Sequence, residues 1–407
     1  MRTLIKGGYL LTGHGEYPGD VLVEDGAVVA ITTNQGRGDS SERHDTDEVI
    51  DASGLVVAPG LVDTHNHVWQ APLRGIGADM SLPQYLRVVM GKYLPVFRPE
   101  DARLAALLGA LESLDAGTTT VFDWCNTTLS PEHTDAVIDG LRSAGIRAVL
   151  GASQDWPRVS TLTGRVTGGL AILGPEYGPW DDTVRELALA RDSGLVASFH
   201  AIGGTGIIER MAAAGVLGSH VHVVHLNQVT EVEARLLAET RTGVTVTPVL
   251  EATMGHGRSA YSRLRAAGAR PGLGTDVAVS TPPDLFEPVR QTLRDHRLEN
   301  GELTPAHEFL AAATVDGARA IGLDQVGLLE VGKRADLILL SGLSHLIRAG
   351  ATAIAGAVVA TAGAGNVRTV MVDGQVVKRD GRLVNQRIEQ LRSDAEELAR
   401  RALSGAS

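Results

Sequence analysis

The sequence predicts an α/β protein in which a (β/α)8 barrel of the TIM type carries a small β domain. Its middle part alternates apolar strand-like runs with amphipathic helical stretches, the pattern of βα units around a parallel sheet. Eight such runs can be found, the number that closes this barrel. Short strand patterns with turn residues lie at both chain ends, and 407 residues suffice for both units.

The first 58 residues form one part of the predicted β domain. The runs TLIKGGYLLT and GDVLVEDGAVVAITT are strand-like, and Asp25 with Gly26 marks a hairpin turn in the second. A similar pattern returns in residues 329–385, where RTVMVDGQVVKRDGRLV contains another Asp-Gly pair. We therefore predict one β-sandwich domain built from both chain ends, followed by a C-terminal helix over 386–407.

The barrel is predicted over residues 59–328. Helical stretches such as PEDARLAALLGALESLDAG separate the strands and end near glycine. The eight runs are LVVAPGLVDTH, TTTVFDW, IRAVLGAS, LAILGP, LVASFHA, VHVVHL, GVTVTP and ARPGLGTD. In this fold the chemistry lies at the carboxyl ends of the strands. The polar residues there are His65, His67, Asp123, His200, His222, His225 and Asp276.

His65 and His67, in PGLVDTHNH, predict a metal site. Side chains two residues apart in a strand share a face, so both imidazoles can aim at one point. His-x-His pairs are common by chance, but His200 and Asp276 complete a set of four that converges if the sheet closes. Four such ligands leave a position for water, whose pKa a divalent ion lowers to about 7. Asp276 could bind the metal, accept the water's proton, or do both.

Composition restricts the partners. The net charge is −11 with acids and bases interspersed, so polymeric nucleic acid is not an expected partner. A single cysteine excludes an internal disulfide and fits a reducing compartment. The first residues lack a signal-peptide pattern, and no run reaches the roughly 18 apolar residues of a membrane helix. We expect a cytoplasmic protein that acts on a small molecule without a membrane partner.

Five motifs, in order, resemble the amidohydrolase superfamily: PGLVDTHNHVWQAPLRG, SFHA, HVVHL, GLGTD and VGLLEVGKRADLILL. The nearest branch contains cytosine deaminases, S-adenosylhomocysteine deaminases and triazine hydrolases. The resemblance covers nearly the whole chain. It implies a distorted TIM barrel with a β-sandwich, one divalent metal per chain, with Zn²⁺ preferred over Fe²⁺, and a homodimer. It also implies hydrolysis of a C–N bond in a small cyclic amidine, amide or aminated nitrogen heterocycle.

The resemblance also implies roles for residues. The metal ligands would be His65, His67, His200 and Asp276. His222 matches the first histidine of the HxxHL motif and would lie beside the metal's water, whereas His225 would point away and be structural. Many other relatives bridge two metals with a carboxylated lysine after strand four. Here no lysine lies between Lys92 and Lys333, so a single metal is expected.

The chain departs from this branch at Gly203. Three residues after the strand-five histidine, the branch usually has a glutamate that carries the water's proton to the leaving group. Asp276 and His222 could carry all protons instead, or Glu251 or His256, just after strand seven, could reach the site. Alternatively, the leaving group needs no proton, as in dechlorination. The catalytic candidates are therefore His222, Asp276 and Glu251, and dechlorination or cyclic amide opening remains the alternative function.

Substrate contacts are expected from loops after the strands. Gln70 and Arg74 follow the histidine pair, but each could equally cap a helix or pair with a surface acid. Trp69 could stack on a flat ring or fill the loop's own core. His256 lies between two glycines, which indicates a tight turn or a nearby ligand. A non-catalytic scaffold is disfavoured because all four ligand positions are present.

Overall fold

The computed structural model describes residues 1–33, 46–384 and 388–405, and in these ranges the chain forms two β-sheets. Eight parallel strands form the first sheet, in chain order around the barrel. These are β6 (Leu61–Asn66), β7 (Thr118–Cys125), β8 (Arg147–Ala152), β9 (Val166–Ala171), β10 (Ala197–Ala201), β11 (Val221–His225), β12 (Gly243–Val246) and β13 (Gly272–Leu273). They correspond to the eight predicted runs, so the barrel prediction is confirmed.

The fourth barrel strand begins earlier than the predicted run, which started at Leu170. It begins at Val166 and passes through Gly168 and Gly169, whose lack of side chains hid the strand pattern. These glycines are needed because the strand is closely packed here. A Cβ atom at Gly168 would lie 2.1 Å from the carbonyl oxygen of Val159.

Backbone hydrogen bonds close the barrel beyond the short strand β13. The amide of Asp276 donates to the carbonyl of His65 at 2.9 Å, and the amide of His67 donates to the carbonyl of Asp276 at 3.0 Å. Closure thus occurs at the two segments that carry the predicted ligands. Below them, apolar side chains such as Phe122 and Trp124 pack the barrel interior.

Helices follow most barrel strands and cover the barrel. They are α1 (Leu82–Tyr85), α2 (Pro99–Asp115), α3 (Pro131–Ala144), α4 (Trp156–Val159), α5 (Trp180–Asp192), α6 (Ile207–Ala213), α7 (Glu231–Glu239), α8 (Pro248–Thr253), α9 (Tyr261–Ala266), α10 (Phe286–Asn300), α11 (His307–Ala312), α12 (Val315–Ala320), α13 (Ser344–Arg348), α14 (Ile354–Thr361) and α15 (Ile388–Gly405). Shorter 3₁₀ turns span Val68–Leu73, Leu94–Val96 and Ala364–Asn366, and a π-helix spans Leu86–Tyr93. Among the described residues, no helix is both long and apolar enough to span a bilayer.

Both chain ends contribute strands to the second sheet, as predicted. Its strands are β1 (Arg2–Thr12), β2 (Gly15–Glu24), β3 (Ala27–Thr33), β4 (Glu48–Asp51), β5 (Val56–Pro59), β14 (Leu337–Leu340), β15 (Val367–Val372), β16 (Gln375–Arg379) and β17 (Arg382–Leu383). The order is β17-β16-β15-β14-β5-β1-β2-β3, with β4 paired to β1. The expected boundary at residues 385 and 386 lies outside the described residues.

This second sheet is continuous and folds over on itself, which gives it a sandwich-like core. Val28 of β3 and Met371 of β15 are far apart in the strand order, yet both pack in one apolar cluster with Val57. The amide of Val28 also donates to the carbonyl of Lys333 at 2.9 Å, which joins the two chain ends directly.

A partly buried ion cluster joins this sheet to the base of the barrel. Arg147, at the start of β8, places Nε 2.7 Å from Oδ2 of Asp336 and Nη2 3.1 Å from Oδ1 of Asp373. Asp336 precedes β14, and Asp373 lies in the turn between β15 and β16. The barrel and the chain-end sheet are therefore held together by charge as well as by apolar packing.

Candidate active site

The four predicted metal ligands converge at the carboxyl ends of β6, β10 and β13. Oδ1 of Asp276 lies 3.2 Å from Nε2 of His65 and 3.4 Å from Nε2 of His67. Nε2 of His200 lies 3.2 Å from Nε2 of His65. A ligand atom from each of the three histidines lies within 4.8 Å of the other two. One ion could contact all four residues.

Hydrogen bonds orient the imidazole of His67 towards this point. Its Nδ1 lies 2.8 Å from the carbonyl oxygen of Trp124 and 2.9 Å from Oδ1 of Asn126. Both neighbours are acceptors, because Nε1 of Trp69 donates to the same Asn126 oxygen at 2.9 Å. The ring proton of His67 is therefore on Nδ1, and Nε2 keeps its lone pair for a metal.

The surroundings of His65, His200 and Asp276 favour the protonation states that a divalent ion requires. Burial lowers the pKa of His65 to about 4 and that of His200 well below its usual range. Burial alone would raise the pKa of Asp276, but His65 and His67 outweigh it and hold that pKa well below normal. Neutral imidazoles and an ionised carboxylate are the metal-binding forms. Oδ2 of Asp276 is buried without a hydrogen-bond partner in the described chain, so this donor set fits a metal.

The structure reverses the predicted orientations of the two β11 histidines. His225 faces the cluster, with Nε2 3.7 Å from Oδ2 of Asp276 and its ring centroid 5.4 Å from that of His200. His222 is fully buried inside the barrel, where its side chain bonds to Thr245 and Ser198. The predicted position of His222 beside the metal's water, and the predicted outward orientation of His225, are therefore wrong.

The backbone explains this reversal. Alternation along β11 turns His222 and Val224 into the barrel and would turn His225 outwards. His225 is the last residue of the strand and has a φ of 77°, which is the left-handed region. The chain leaves the strand conformation there, so the alternation ends and His225 faces the mouth of the barrel.

His222 has no nitrogen free for catalysis. Thr64 donates to the carbonyl of Leu273, and Thr245 donates to Thr64 at 2.7 Å, so Thr245 can only accept from Nε2 of His222. Nδ1 of His222 then accepts from the hydroxyl of Ser198 at 2.9 Å. Burial, with a smaller contribution from His65, lowers the pKa of His222 to about 3, so it stays neutral. It is part of the barrel's core.

Glu251, on α8, lies against His225. It is fully buried, and Oε1 lies 3.5 Å from Nδ1 of His225 and accepts from the amide of Thr247 at 3.0 Å. Oε2 is buried without a partner within the described ranges. Burial lowers the pKa of His225, but the hydrogen bond with Glu251 and the charge of Asp276 outweigh it, and the pKa is raised. The carboxylate that was expected to reach the site from beyond strand seven is thus next to a site histidine.

The four predicted substrate contacts divide into two groups. Gln70 is buried and donates from Nε2 to the hydroxyl of Tyr85 at 2.6 Å, which leaves Oε1 without a partner in the described structure. His256 is half-buried beside the site, and its Nε2 is likewise unpartnered; burial, followed by His225, lowers its pKa. Each of these two side chains therefore has one buried polar atom without a partner among the described residues.

Arg74 and Trp69 do not reach the site. Arg74 places Nη2 2.6 Å from Oε2 of Glu112. The alternative prediction for Arg74, an ion pair with an acid, therefore describes its position. Trp69 is 1% exposed and packs edge-on against Phe97 in the small core of the loop after β6. Their expected substrate contacts are therefore wrong.

The loop after β10 does not replace the missing glutamate. Gly203 has a φ of 75°, and its amide and that of Ile202 donate to the carboxylate of Glu176 at 3.1 and 2.7 Å. A Cβ atom at Gly203 would lie 3.0 Å from both N and Cα of Val229. A side chain at this position would point into the backbone of the neighbouring loop.

Two threonines that the sequence did not single out hold the histidines, Thr245 within β12 and Thr247 just after it. Thr245 accepts from His222, and Oγ1 of Thr247 lies 3.0 Å from Nδ1 of His225. Their spacing of two residues in GVTVTP is the signal that could have identified them, because both must face the barrel interior if one does.

The model of the Amidohydrolase family matches residues 56–377 of the chain. A 5-methylthioadenosine/S-adenosylhomocysteine deaminase of Desulforudis audaxviator is 30% identical, with 99% of each chain covered. A 5′-deoxyadenosine deaminase of Methanothermobacter thermautotrophicus is 29% identical, covering 93% of this chain and 94% of that protein.

Solved structures have the same fold at lower sequence identity. An adenosine deaminase from Xanthomonas campestris with bound zinc superimposes with a TM-score of 0.86 at 23% identity, over 99% of this chain and 98% of that one. Atrazine chlorohydrolase from Arthrobacter aurescens, complexed with zinc, superimposes with a TM-score of 0.82 at 21% identity, over 98% of this chain and 100% of that one. At such identities the likeness shows the fold alone.

Proposed function

The chain belongs to the amidohydrolase family, and on this basis we propose that this C–N hydrolase is a metal-dependent deaminase of adenine nucleosides. The proposal rests on the convergence of three imidazoles and a carboxylate, with His225 beside them. The family accounts for the hydrolysis. The adenine nucleoside as substrate is suggested by the names of the 5-methylthioadenosine and 5′-deoxyadenosine deaminases that the chain resembles.

We propose Zn²⁺ as the metal, one ion per chain, held by His65, His67, His200 and Asp276. A nitrogen-rich set of four ligands suits zinc, and two solved structures of the same fold contain it. When bound, such an ion acts as a Lewis acid and lowers the pKa of a coordinated water.

The chain's own residues would move the protons. In hydrolytic deamination, the oxygen of water bonds to the ring carbon and the C–N bond to the amine breaks. One water proton goes to the ring nitrogen and the other to the amine, which leaves as ammonia. Asp276 and His225 are positioned for these two transfers, because Oδ2 and Nε2 face each other at 3.7 Å.

The substrate would bind through two unpartnered polar atoms, one on Gln70, three residues after His67, and one on His256. Oε1 of Gln70 can accept an N–H bond, and Nε2 of His256 can accept or donate one, depending on its protonation. An adenine ring offers an amine donor and ring-nitrogen acceptors. Leaving both protein atoms unpaired would cost about 1–3 kcal/mol each, so a ligand that pairs them is favoured.

Removal of a group that needs no proton, such as chloride, is the second candidate function. The missing carboxylate at Gly203 favours it, because chloride leaves as an anion whereas an amine must be protonated first. Both candidates use the same metal ligands, so they differ in the released product.

The deciding experiment measures ammonia and chloride from the zinc-loaded protein. The panel contains adenosine, 5′-deoxyadenosine, 5′-methylthioadenosine, S-adenosylhomocysteine, cytosine, an aminotriazine and a chlorotriazine. We expect ammonia from at least one adenine nucleoside, and no product from Asp276→Asn. Chloride release without ammonia would establish the second candidate instead, and ammonia from cytosine or the triazine alone would overturn the nucleoside assignment.

We further propose that the protein is a cytoplasmic homodimer, as expected from the sequence. Light scattering coupled to size-exclusion chromatography should give twice the chain mass of 42.7 kDa. A monomer at micromolar concentration would contradict the assembly without affecting the site.

A further inference from the structure

The loop after β10 supplies no carboxylate of its own to assist Asp276 in proton transfer. Three other buried carboxylates lie near the metal ligands in the described structure. Both oxygens of Asp63 accept hydrogen bonds around Thr275. Asp123 lies on the outer face of β7, where it accepts from the amide of Val68 at 3.2 Å. Glu251 is the one that contacts a site histidine.

The hydrogen bonds around Glu251 fix where the protons lie. Oε1 accepts from the amide of Thr247 at 3.0 Å and from its hydroxyl at 3.3 Å. Because that hydroxyl gives its proton to the carboxylate, its oxygen can only accept from Nδ1 of His225, 3.0 Å away. Neutral His225 therefore carries its proton on Nδ1, and the lone pair of Nε2 faces Asp276.

In the neutral form of His225, Nε2 and Oδ2 of Asp276 are then two acceptors that lie 3.7 Å apart. Oδ2 has no other partner within the described residues. Two such acceptors are stable side by side only if a donor lies near both. The attacking water and the amine of the substrate are donors of this kind.

We propose that Glu251 is a positioning residue that acts through Thr247 and His225, and that this arrangement replaces the carboxylate missing at Gly203. Glu251 holds the imidazole with Nε2 facing the reaction centre. Nε2 takes a proton from water and returns it to the leaving amine, while the proton on Nδ1 stays in place. The carboxylate gains no proton and stabilises the transient imidazolium by its charge. This inference rests on the proposed hydrolytic deamination.

A purely structural role does not explain the burial of Glu251. Its bond to the amide of Thr247 also caps the first turn of α8, and a cap contributes about 1 kcal/mol. Burying a carboxylate costs several kcal/mol unless the carboxylate is paired and hydrogen-bonded. A solvent-exposed acid could cap the helix as well, whereas only a buried one can lie 3.5 Å from Nδ1 of His225.

The kinetic test compares Glu251→Gln with a matched control, Glu233→Gln. Glu233 is also buried in the first turn of a helix, α7, and accepts from the amides of Thr230 and Gly204. We expect Glu251→Gln to lower kcat by about 10- to 100-fold, with KM within about twofold and unchanged metal content. Glu233→Gln should keep its kcat. Wild-type kcat in Glu251→Gln, an equal loss in both variants, or a loss in proportion to metal would overturn the proposal.

A second measurement needs no substrate. Nitrogen-15 NMR of the zinc-loaded, histidine-labelled protein, assigned with His225→Gln, should show the His225 proton on Nδ1. Glu251→Leu should shift this tautomer population, and Thr247→Val provides the same test if Glu251→Leu does not fold. An unchanged tautomer in the folded variant would overturn the inference. If the wild type deaminates nothing, the proposed function fails, whereas this result still decides the role of Glu251 in orienting His225.

Discussion

At the residue scale, two side chains of the site sit on unusual backbone. Asp276 has a φ of 65° and His225 a φ of 77°, and neither is glycine. The left-handed conformation costs about 1–2 kcal/mol for such residues, and it persists where the surrounding structure enforces it. At Asp276, the two backbone hydrogen bonds that close the barrel enforce this conformation. This strain turns both side chains towards the same point.

Replacing each of the two β11 histidines with glutamine tests their roles. His225→Gln should lower kcat by about 100-fold or more and retain the metal, because the group beside Asp276 is lost. His222→Gln should keep its kcat and lose about 1–3 kcal/mol of unfolding free energy, because a buried hydrogen-bond chain is disturbed. Steady-state kinetics and urea unfolding separate the two outcomes, and the opposite pattern would restore His222 as the catalytic residue.

The low pKa of His222, about 3, predicts a pH dependence of stability. In the unfolded chain this histidine titrates near 6.5, so below that pH the unfolded state binds a proton that the native state excludes. Stability is therefore lost as the pH falls, by about 2 kcal/mol from this residue at pH 5. Urea unfolding of the metal-free proteins at pH 7 and pH 5 measures this. Between the two pH values, the unfolding free energy of His222→Gln should fall by about 2 kcal/mol less than that of the wild type. Equal losses would show that His222 is charged in the fold.

At the scale of single elements, the sequence predicts a site residue well where the strand is regular up to that residue. His200 faces inwards, as alternation along β10 requires. The shared direction of His65 and His67 could be predicted because a strand that ends at the barrel mouth places both side chains there. His225 could not be predicted, because nothing in the residue type announces a positive φ. Trp69 and Arg74 were ambiguous because a loop's own packing competes with ligand contacts for the same side chains.

The loop after β10 gives a prediction at this scale. Gly203→Glu restores the residue typical of the branch, but φ is 75° there and the side chain would meet the backbone of Val229. We expect a loss of about 1–2 kcal/mol of stability and no gain in kcat. A higher kcat in this variant would mean that the loop can present a carboxylate to the site.

At the scale of the whole molecule, the ion cluster between barrel and chain-end sheet should matter for stability alone. Arg147→Met leaves Asp336 buried without its counter-ion, which costs about 3–5 kcal/mol. The cluster lies at the base of the barrel, away from the metal ligands. The midpoint temperature of thermal unfolding should therefore fall strongly, while kcat at 25 °C and metal content stay unchanged. A matching loss of kcat would show that the two units are coupled.

The architecture followed from the sequence because each of its signals is local. Eight strand runs separated by helices allow one closed barrel, and similar strand patterns at both ends can pair with each other. The pairing within the chain-end sheet was not predictable. Strand β1 pairs with β4 through residues 3–6 and with β5 through Tyr9 and Leu10, and only long-range packing decides where one partner ends.

The most direct test of metal-dependent deamination is ammonia release from 5′-deoxyadenosine, measured on protein of known metal content before and after chelation. We expect about one zinc ion per chain, ammonia from the metal-loaded protein, loss of that activity on chelation, and recovery when zinc is restored. A chain that carries one zinc ion and releases no ammonia from any adenine nucleoside, or one that deaminates equally well without metal, would contradict it.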